Sequence, residues 1–262
     1  MSTARADHAV IETVAPATTP DAANPNPAAT APNPPRVDLY APIHKALRNA
    51  MTDALARVGR LDVFDADEMA ETMAGFDALL DLCVKHLEHE NEFVHAAIEA
   101  RQPQGARRTA DDHVEHMLSI DALRAEGRGL LAASPAERMP LGQRLYRHLA
   151  LFVAENFQHM HIEETVNNAA LCAAYSDAEL MALHGRLMAS ISPHEHLAVA
   201  RWMVPALSPL ERAGMLNAAK REMPPEAFLG VIAHVRPHID ARGWDKLAPV
   251  VGGSRTAAAA AV

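Results

Sequence analysis

The stretch that decides the fold prediction is Phe157–Val166, FQHMHIEETV, which places two histidines and two glutamates in one short run. If the run is helical, His159 and Glu163 are four residues apart and share one face. Imidazole and carboxylate groups on one face are the ligand types of a bound transition metal. Helices also carry such pairs as ordinary surface residues, so the rest of the chain must supply the other ligands of a site.

The composition of the 262-residue chain favours helices over strands. Apolar residues make up 49% of it and aromatic residues only 4%, and β-branched and aromatic residues are the ones that strands prefer. The formal charge of -9 argues against nucleic acid as a partner. The sequence lacks a run of about 18 apolar residues, so no membrane span is predicted. It also lacks an apolar N-terminal stretch of the kind found in secretory signals. A cytoplasmic protein is therefore expected, and its two cysteines are expected to be reduced, buried thiols.

Apolar positions three and four residues apart predict four long helices, followed by several short ones. The clearest start is Ser134-Pro135-Ala136-Glu137, which combines a capping serine, a proline in the first turn and a reciprocal glutamate. Similar starts are predicted at Asp65/Glu68 and Thr109/Asp112, and a break is expected at Pro140–Gly142. The predicted long helices cover residues 42–60, 66–101, 110–133 and 141–171, and the short ones cover 177–189, 193–206, 209–220, 225–239 and 241–248.

Four long helices with short connections predict an all-α fold, an up-down-up-down four-helix bundle with a C-terminal extension of several short helices. The bundle is expected over residues 37–172 and the extension over residues 173–250. Residues 1–36 contain seven of the eighteen prolines and few large apolar residues, which predicts a disordered tail. Residues 251–262 are expected to form a flexible tail.

Each long helix carries a histidine or glutamate among its inward positions. In antiparallel neighbours, residues equally distant from the shared turn meet. His44 and His86 lie roughly 20 residues on either side of the first turn, and at about 1.5 Å per residue the mismatch is under one helical turn. The same comparison across the second and third turns places the inward histidines and glutamates of all four helices at about the same height along the bundle. The candidate metal ligands are His44, His86, Glu90, His116, His159 and Glu163.

The third helix leaves an alternative open, because His113 lies one turn from His116. Either can be the ligand, and the other is then expected to hydrogen-bond behind it. On the fourth helix, the inner face is predicted to include Glu155 and Val166. Further histidines are expected outside the ligand set, with His89 and His161 near the site, His148 in the core or a channel, and His95 and His184 at the surface.

Six mixed nitrogen and oxygen ligands exceed what one tetrahedral zinc requires and suit iron or manganese better. Two carboxylates can bridge two metals. Carboxylates in the core of a bundle are also costly unless they are paired or coordinated. The pattern therefore predicts a metal site in which both glutamates are ligands.

The chain resembles the hemerythrin-like, HHE cation-binding family over about residues 40–170. The matching pieces are HKALR from His44, HLEHENEF from His86, DDHVEHM from Asp111 and FQHMHIEET from Phe157. That family is a four-helix bundle with a non-heme diiron centre. The resemblance implies that the six candidate residues bind two iron ions. It also implies that two glutamates bridge the irons, Glu90 and Glu163, together with an oxo or hydroxo group.

The HxxxE motifs of this chain stand where the invertebrate oxygen carriers have HxxxH and a His-to-Asp spacing, so the bacterial and F-box-associated variants are the better match. The expected function is binding or sensing of a small diatomic ligand, O2 or NO, or of iron status. The alternative is a diiron oxidoreductase acting on oxygen, peroxide or nitric oxide, and a third reading is a metal-free helical interaction protein. Whether the chain turns over a substrate stays open. The C-terminal helices are expected to pack on the bundle, transmit a change, or form a homodimer surface.

Overall fold

The computed structural model describes residues 36–252, which are almost entirely helical and contain no β-strand within that range. The all-α prediction is therefore confirmed for the described residues. The predicted tails, 1–36 and 251–262, lie outside them except for Arg36, Val251 and Gly252. Arg36 is held in place, since its guanidinium pairs with Asp177 at 2.5 Å and donates hydrogen bonds to two backbone carbonyls.

Four long helices surround the main hydrophobic core. The chain forms α1 (Ala41–Arg60), α2 (Ala66–His89), the short α3 (Ala96–Arg101), α4 (Arg107–Ala132) and α5 (Pro135–Ile162). The long helices contact one another in a ring, α1 with α2, α2 with α4, α4 with α5, and α5 with α1. Buried side chains from all four fill the space between them, among them Leu47, Phe76, Leu80, Ile120, Leu123 and Phe152.

Two of the long helices continue into π-helical turns rather than ending. The first π turn, Glu90–His95, connects α2 to α3, and the second, Glu163–Asn167, connects α5 to α6 (Asn168–Ala174). A π turn has i→i+5 hydrogen bonds and so uses one more residue than an α turn. The side chains that follow it are rotated relative to the α-helical pattern, and π turns occur frequently at functional sites.

Helix starts with a capping serine are confirmed, whereas two other sequence predictions are wrong. Ser134 and Glu137 bond reciprocally at the start of α5. Thr109 does not cap α4, because that helix already begins at Arg107 and the Thr109 side chain is buried. No break occurs at Pro140, which lies inside α5. Its missing N–H removes one bond near the start of the helix, where the neighbouring residues are exposed.

The short helices after α6 match their predicted positions closely. They are α7 (Asp177–Ser190), α8 (Pro193–Ala206), α9 (Pro209–Glu222), α10 (Pro225–Val235), a 3-10 turn (Arg236–His238) and α11 (Ala241–Val251). Three Ser-x-x-Glu capping boxes begin α7, α8 and α9. Helix α8 packs along α1, and the Trp202 ring lies against the main core. Helix α8 thus covers one side of α1.

The two cysteines are unpaired; Cys83 is buried as predicted, while Cys172 is only half-buried. Within residues 36–252, no helix combines the length and apolar character needed to cross a bilayer.

Candidate metal centre

Six side chains from six different elements meet between the long helices, and all but His86 are fully buried. Each HxxxE motif ends at the first residue of a π turn, so each helix presents a histidine and the following turn presents its glutamate. The structure forms two groups whose ligand atoms lie within 4.8 Å of one another, and both groups include Glu90 and Glu163. One group adds His44 and His86, and the other adds His113 and His159.

In the first group, the imidazole Nε2 atoms point at the carboxylates. His44 Nε2 lies 3.4 Å from Glu90 Oε1 and 3.4 Å from Glu163 Oε2. His86 Nε2 lies 3.2 Å from Glu90 Oε2. Both carboxylates therefore belong to two sets of imidazoles at once.

The second group brings the other two imidazoles to the same carboxylates. His113 Nε2 lies 3.4 Å from Glu90 Oε2 and 3.6 Å from Glu163 Oε1, and His159 Nε2 lies 3.3 Å from Glu163 Oε2. The two Nε2 atoms of His113 and His159 are only 3.0 Å apart. Four imidazole nitrogens and two carboxylates therefore converge on a small volume.

The residues present fit a metal ion. All four carboxylate oxygens of Glu90 and Glu163 are buried without a well-formed hydrogen bond to any residue in the range 36–252, as are Nε2 of His44 and Nε2 of His86. A buried polar atom without a partner costs about 1–3 kcal/mol, and more if it is charged. Here the orphaned atoms face one another and are all electron-pair donors, which is the set that a cation satisfies.

The pKa values of the clustered histidines and glutamates also indicate that positive charge is favoured at the centre of the cluster. Burial lowers the pKa of His44 and of His113, but contacts with the carboxylates outweigh burial and raise each pKa to about 9. Burial raises the pKa of Glu90, yet the surrounding histidines bring it down to about 2, and that of Glu163 falls well below its ordinary value. Protons on two imidazoles thus balance two ionised carboxylates, a balance that a bound cation can replace.

Three of the four histidines have a hydrogen-bond acceptor behind them. His44 Nδ1 donates to Glu164 Oε1 at 3.1 Å, His159 Nδ1 to Asp112 Oδ2 at 3.2 Å, and His113 Nδ1 to Asn91 Oδ1 at 2.8 Å. Two of these acceptors are carboxylates, Glu164 and Asp112, and the third is the amide of Asn91. An acceptor at Nδ1 leaves the lone pair on Nε2 and orients the ring, as is typical of metal-bound histidines.

A buried polar network lies behind Glu163, and His95 is its centre. The sequence prediction of a surface position for His95 is wrong, since only 5% of this residue is exposed. Its Nε2 lies 3.5 Å from Glu163 Oε1 and 3.1 Å from the Thr109 hydroxyl, which also accepts from Asn167 Nδ2 at 2.9 Å. The π turns bring His95 and Asn167 inward, and no α-helical periodicity could have indicated this.

The six predicted ligands fall into two classes. Five of them lie in the two groups, whereas His116 lies in neither, and His113 occupies the position on α4. His116 is nevertheless buried, with its ring 4.8 Å from that of His159, and burial lowers its pKa to about 4.

The side chains expected near the site, and His148, which was expected in the core or a channel, lie away from it. Glu155 and His161 are exposed, His89 faces Glu195 at 3.8 Å, and His148 faces Glu126 at 3.5 Å. The predicted inner face of the fourth helix is wrong at two positions, because Asn156 is buried in place of Glu155 and Asn167 in place of Val166. His184 is half-buried.

A small apolar pocket lies beside the cluster. It reaches one histidine of each group, His86 and His159, and its remaining lining is Leu47, Met51, Cys83, Leu87, Asn156 and Met160. Apart from the Asn156 amide, the wall contains aliphatic groups and sulfur atoms. This wall keeps water away from the imidazoles and leaves little space next to them.

No family model matches the chain, and neither a curated protein nor a solved structure is significantly similar to it.

Proposed function

We propose that the chain is a hemerythrin-like protein whose four long helices run up-down-up-down, and that it binds two non-heme iron ions in order to bind or sense a small diatomic ligand, O2 or NO. The observation that carries the proposal is the convergence of two shared, unpartnered carboxylates with four imidazole Nε2 atoms. A metal-free helical interaction protein would gain little from burying such a set, since the desolvation of buried charges is costly even when they are paired.

In this proposal the two groups hold one iron each. His44 and His86 bind the first iron, and His113 and His159 bind the second. Glu90 and Glu163 bridge both, as is common in dinuclear sites of helix bundles. His113 thereby takes the role that the sequence prediction gave to His116.

Two irons in mixed nitrogen and oxygen coordination supply a redox-active centre with open positions for a small ligand. The chain contributes orientation and shielding. Glu164, Asp112 and Asn91 fix three imidazole rings from behind. The apolar side chains next to His86 and His159 keep water away from these two rings.

The test is iron quantification combined with absorption spectra of the oxidised and reduced protein. About two irons per chain are expected, as in dinuclear helix-bundle sites. A spectrum that changes with O2 or NO and returns on degassing would support binding or sensing. Turnover of peroxide or nitric oxide with an electron donor would support the oxidoreductase alternative. A colourless protein that takes up no iron would exclude both.

The two histidines of α4 give a direct test of the ligand assignment. His113→Gln is expected to reduce iron to about one per chain or less, because His113 Nε2 faces both carboxylates. His116→Gln is the matched control, with the same change one turn along the same buried face, and should retain both irons. Plasma emission spectrometry on purified variants measures this, and the reverse result would assign the ligand to His116.

A further inference from the structure

The outer side of His44 carries two charged groups that the ligand set leaves unused. Glu164 directly follows the shared carboxylate Glu163, and its Oε1 accepts the hydrogen bond from His44 Nδ1 at 3.1 Å. Arg48, one turn after His44 on α1, donates to both oxygens of Glu164, at 2.5 Å and 3.0 Å. The result is a chain of contacts from the protein surface to a candidate metal ligand.

This arrangement differs from the backing of His113. The acceptor behind His113 is the neutral amide of Asn91, whereas the acceptor behind His44 is a carboxylate. Asp112 backs His159 with a carboxylate as well, so each proposed iron has one histidine with a charged acceptor. Only about a quarter of the Glu164 side chain is exposed, because the Arg48 fork holds it against the imidazole.

We propose that Glu164 and Arg48 form a positioning pair that fixes the His44 ring and strengthens the bond from its Nε2 to the adjacent metal. The inference rests on the proposed metal-binding function and adds a regulator of affinity and reduction potential at one of the two positions. A carboxylate that accepts Nδ1–H fixes the tautomer and makes the imidazole a stronger donor. The planar guanidinium holds both carboxylate oxygens at once, which a lysine cannot do.

Arg48 keeps the carboxylate of Glu164 in contact with the His44 ring. Glu164 lies at the edge of the site, and a carboxylate in contact with water would otherwise rotate into solvent, where it is better hydrated. Arg48 prevents this with two charge-assisted hydrogen bonds. The Arg48 guanidinium also lies over the Phe157 ring, 5.9 Å from its centroid, which limits its own movement.

The first experiment is an anaerobic titration of the full-length chain with Mn(II), followed by a redox titration of the iron-loaded protein. Glu164→Gln keeps the shape and can still accept from Nδ1, but it lacks the negative charge. The dissociation constant of one metal is expected to rise about 10–100-fold, with the other unchanged, and the reduction potential of the iron pair should become more positive.

The matched control is Asp53→Asn on α1. Asp53 pairs with Arg57 at 2.7 Å, as Glu164 pairs with Arg48, but contacts no histidine of the cluster. The same loss of a paired carboxylate should therefore leave both dissociation constants and the potential unchanged. Asp112→Asn should weaken the other metal, and its combination with Glu164→Gln should weaken both.

Variants of Arg48 test the same positioning role independently, in case Glu164→Gln does not fold. Arg48→Met should weaken the same metal, and Arg48→Lys should recover part of the loss because it keeps the charge and one hydrogen bond. Circular dichroism verifies the fold of each variant. Unchanged affinities and potential in folded Glu164→Gln and Arg48→Met would overturn the positioning role while leaving the metal site intact. A wild-type chain that binds no metal would instead refute the proposed function itself.

Discussion

Glu163→Gln is expected to lose both metal ions. This carboxylate belongs to both ligand groups, lies at the centre of the cluster and is fully buried. The amide has one oxygen and no charge, so it cannot bridge two cations. Removing a hydrogen-bond partner of a metal ligand lowers metal affinity by up to about 100-fold. Loss of the ligand Glu163 itself should lower metal affinity by more than that. Iron analysis and the absorption spectrum of the purified variant measure it.

The control for this variant is Glu155→Gln, two turns earlier on α5. Glu155 is exposed, so the same substitution removes a solvated charge and should leave iron content and spectrum unchanged. Retention of two irons by Glu163→Gln would contradict the assignment of Glu163 as a shared ligand. Glu90→Gln should behave like Glu163→Gln, because the two residues have equivalent positions in the cluster.

Metal loading is expected to stabilise the fold strongly. A ligand that binds only the folded chain adds about 4 kcal/mol at a thousandfold excess over its dissociation constant. For a protein of this size, that corresponds to a rise of about 10 °C in the unfolding temperature. The physical reason is that the metal replaces unfavourable contacts among buried, unpartnered carboxylates and imidazoles. Thermal unfolding with Mn(II) and after chelation measures the difference.

Two controls separate specific binding from a general salt effect. Mg(II) prefers an all-oxygen, partly hydrated shell and should have little effect at the same concentration. The unfolding temperature of the Glu163→Gln variant should be the same with and without Mn(II). An equal rise in that variant, or no rise in the wild-type chain, would refute the stabilisation argued from the cluster.

The helix starts were predictable because their signals are local. A serine with a glutamate three residues later satisfies free N–H groups within one turn, whatever the rest of the chain does. For this reason Ser134, Ser176, Ser192 and Ser208 all begin helices where the sequence indicates. Thr109 has Asp112 in place of the glutamate, and its hydroxyl is used in a buried contact with His95 instead.

The π turns were not predictable from periodicity. A five-residue separation such as Glu90 to His95 does not define a face of an α-helix. Only the extra residue in the π turn rotates His95 toward Glu163 and Asn167 toward Thr109. These buried polar residues support each other across two π turns, so neither turn can be understood from its own segment alone.

The sequence by itself determined the residue types, the helical class and the level at which the ligands meet, because HxxxE spacing and distance from a turn are properties of the chain. Tertiary structure decided which neighbour of each pair faces the centre. His113 rather than His116 faces both carboxylates, and Glu164 turns outward from Glu163 to support His44. Glu163 and Glu164 differ by about 100° of rotation, whereas His113 and His116 lie about one turn apart on the same face. The choice within each pair therefore depends on how the helices pack and where the π turns shift them.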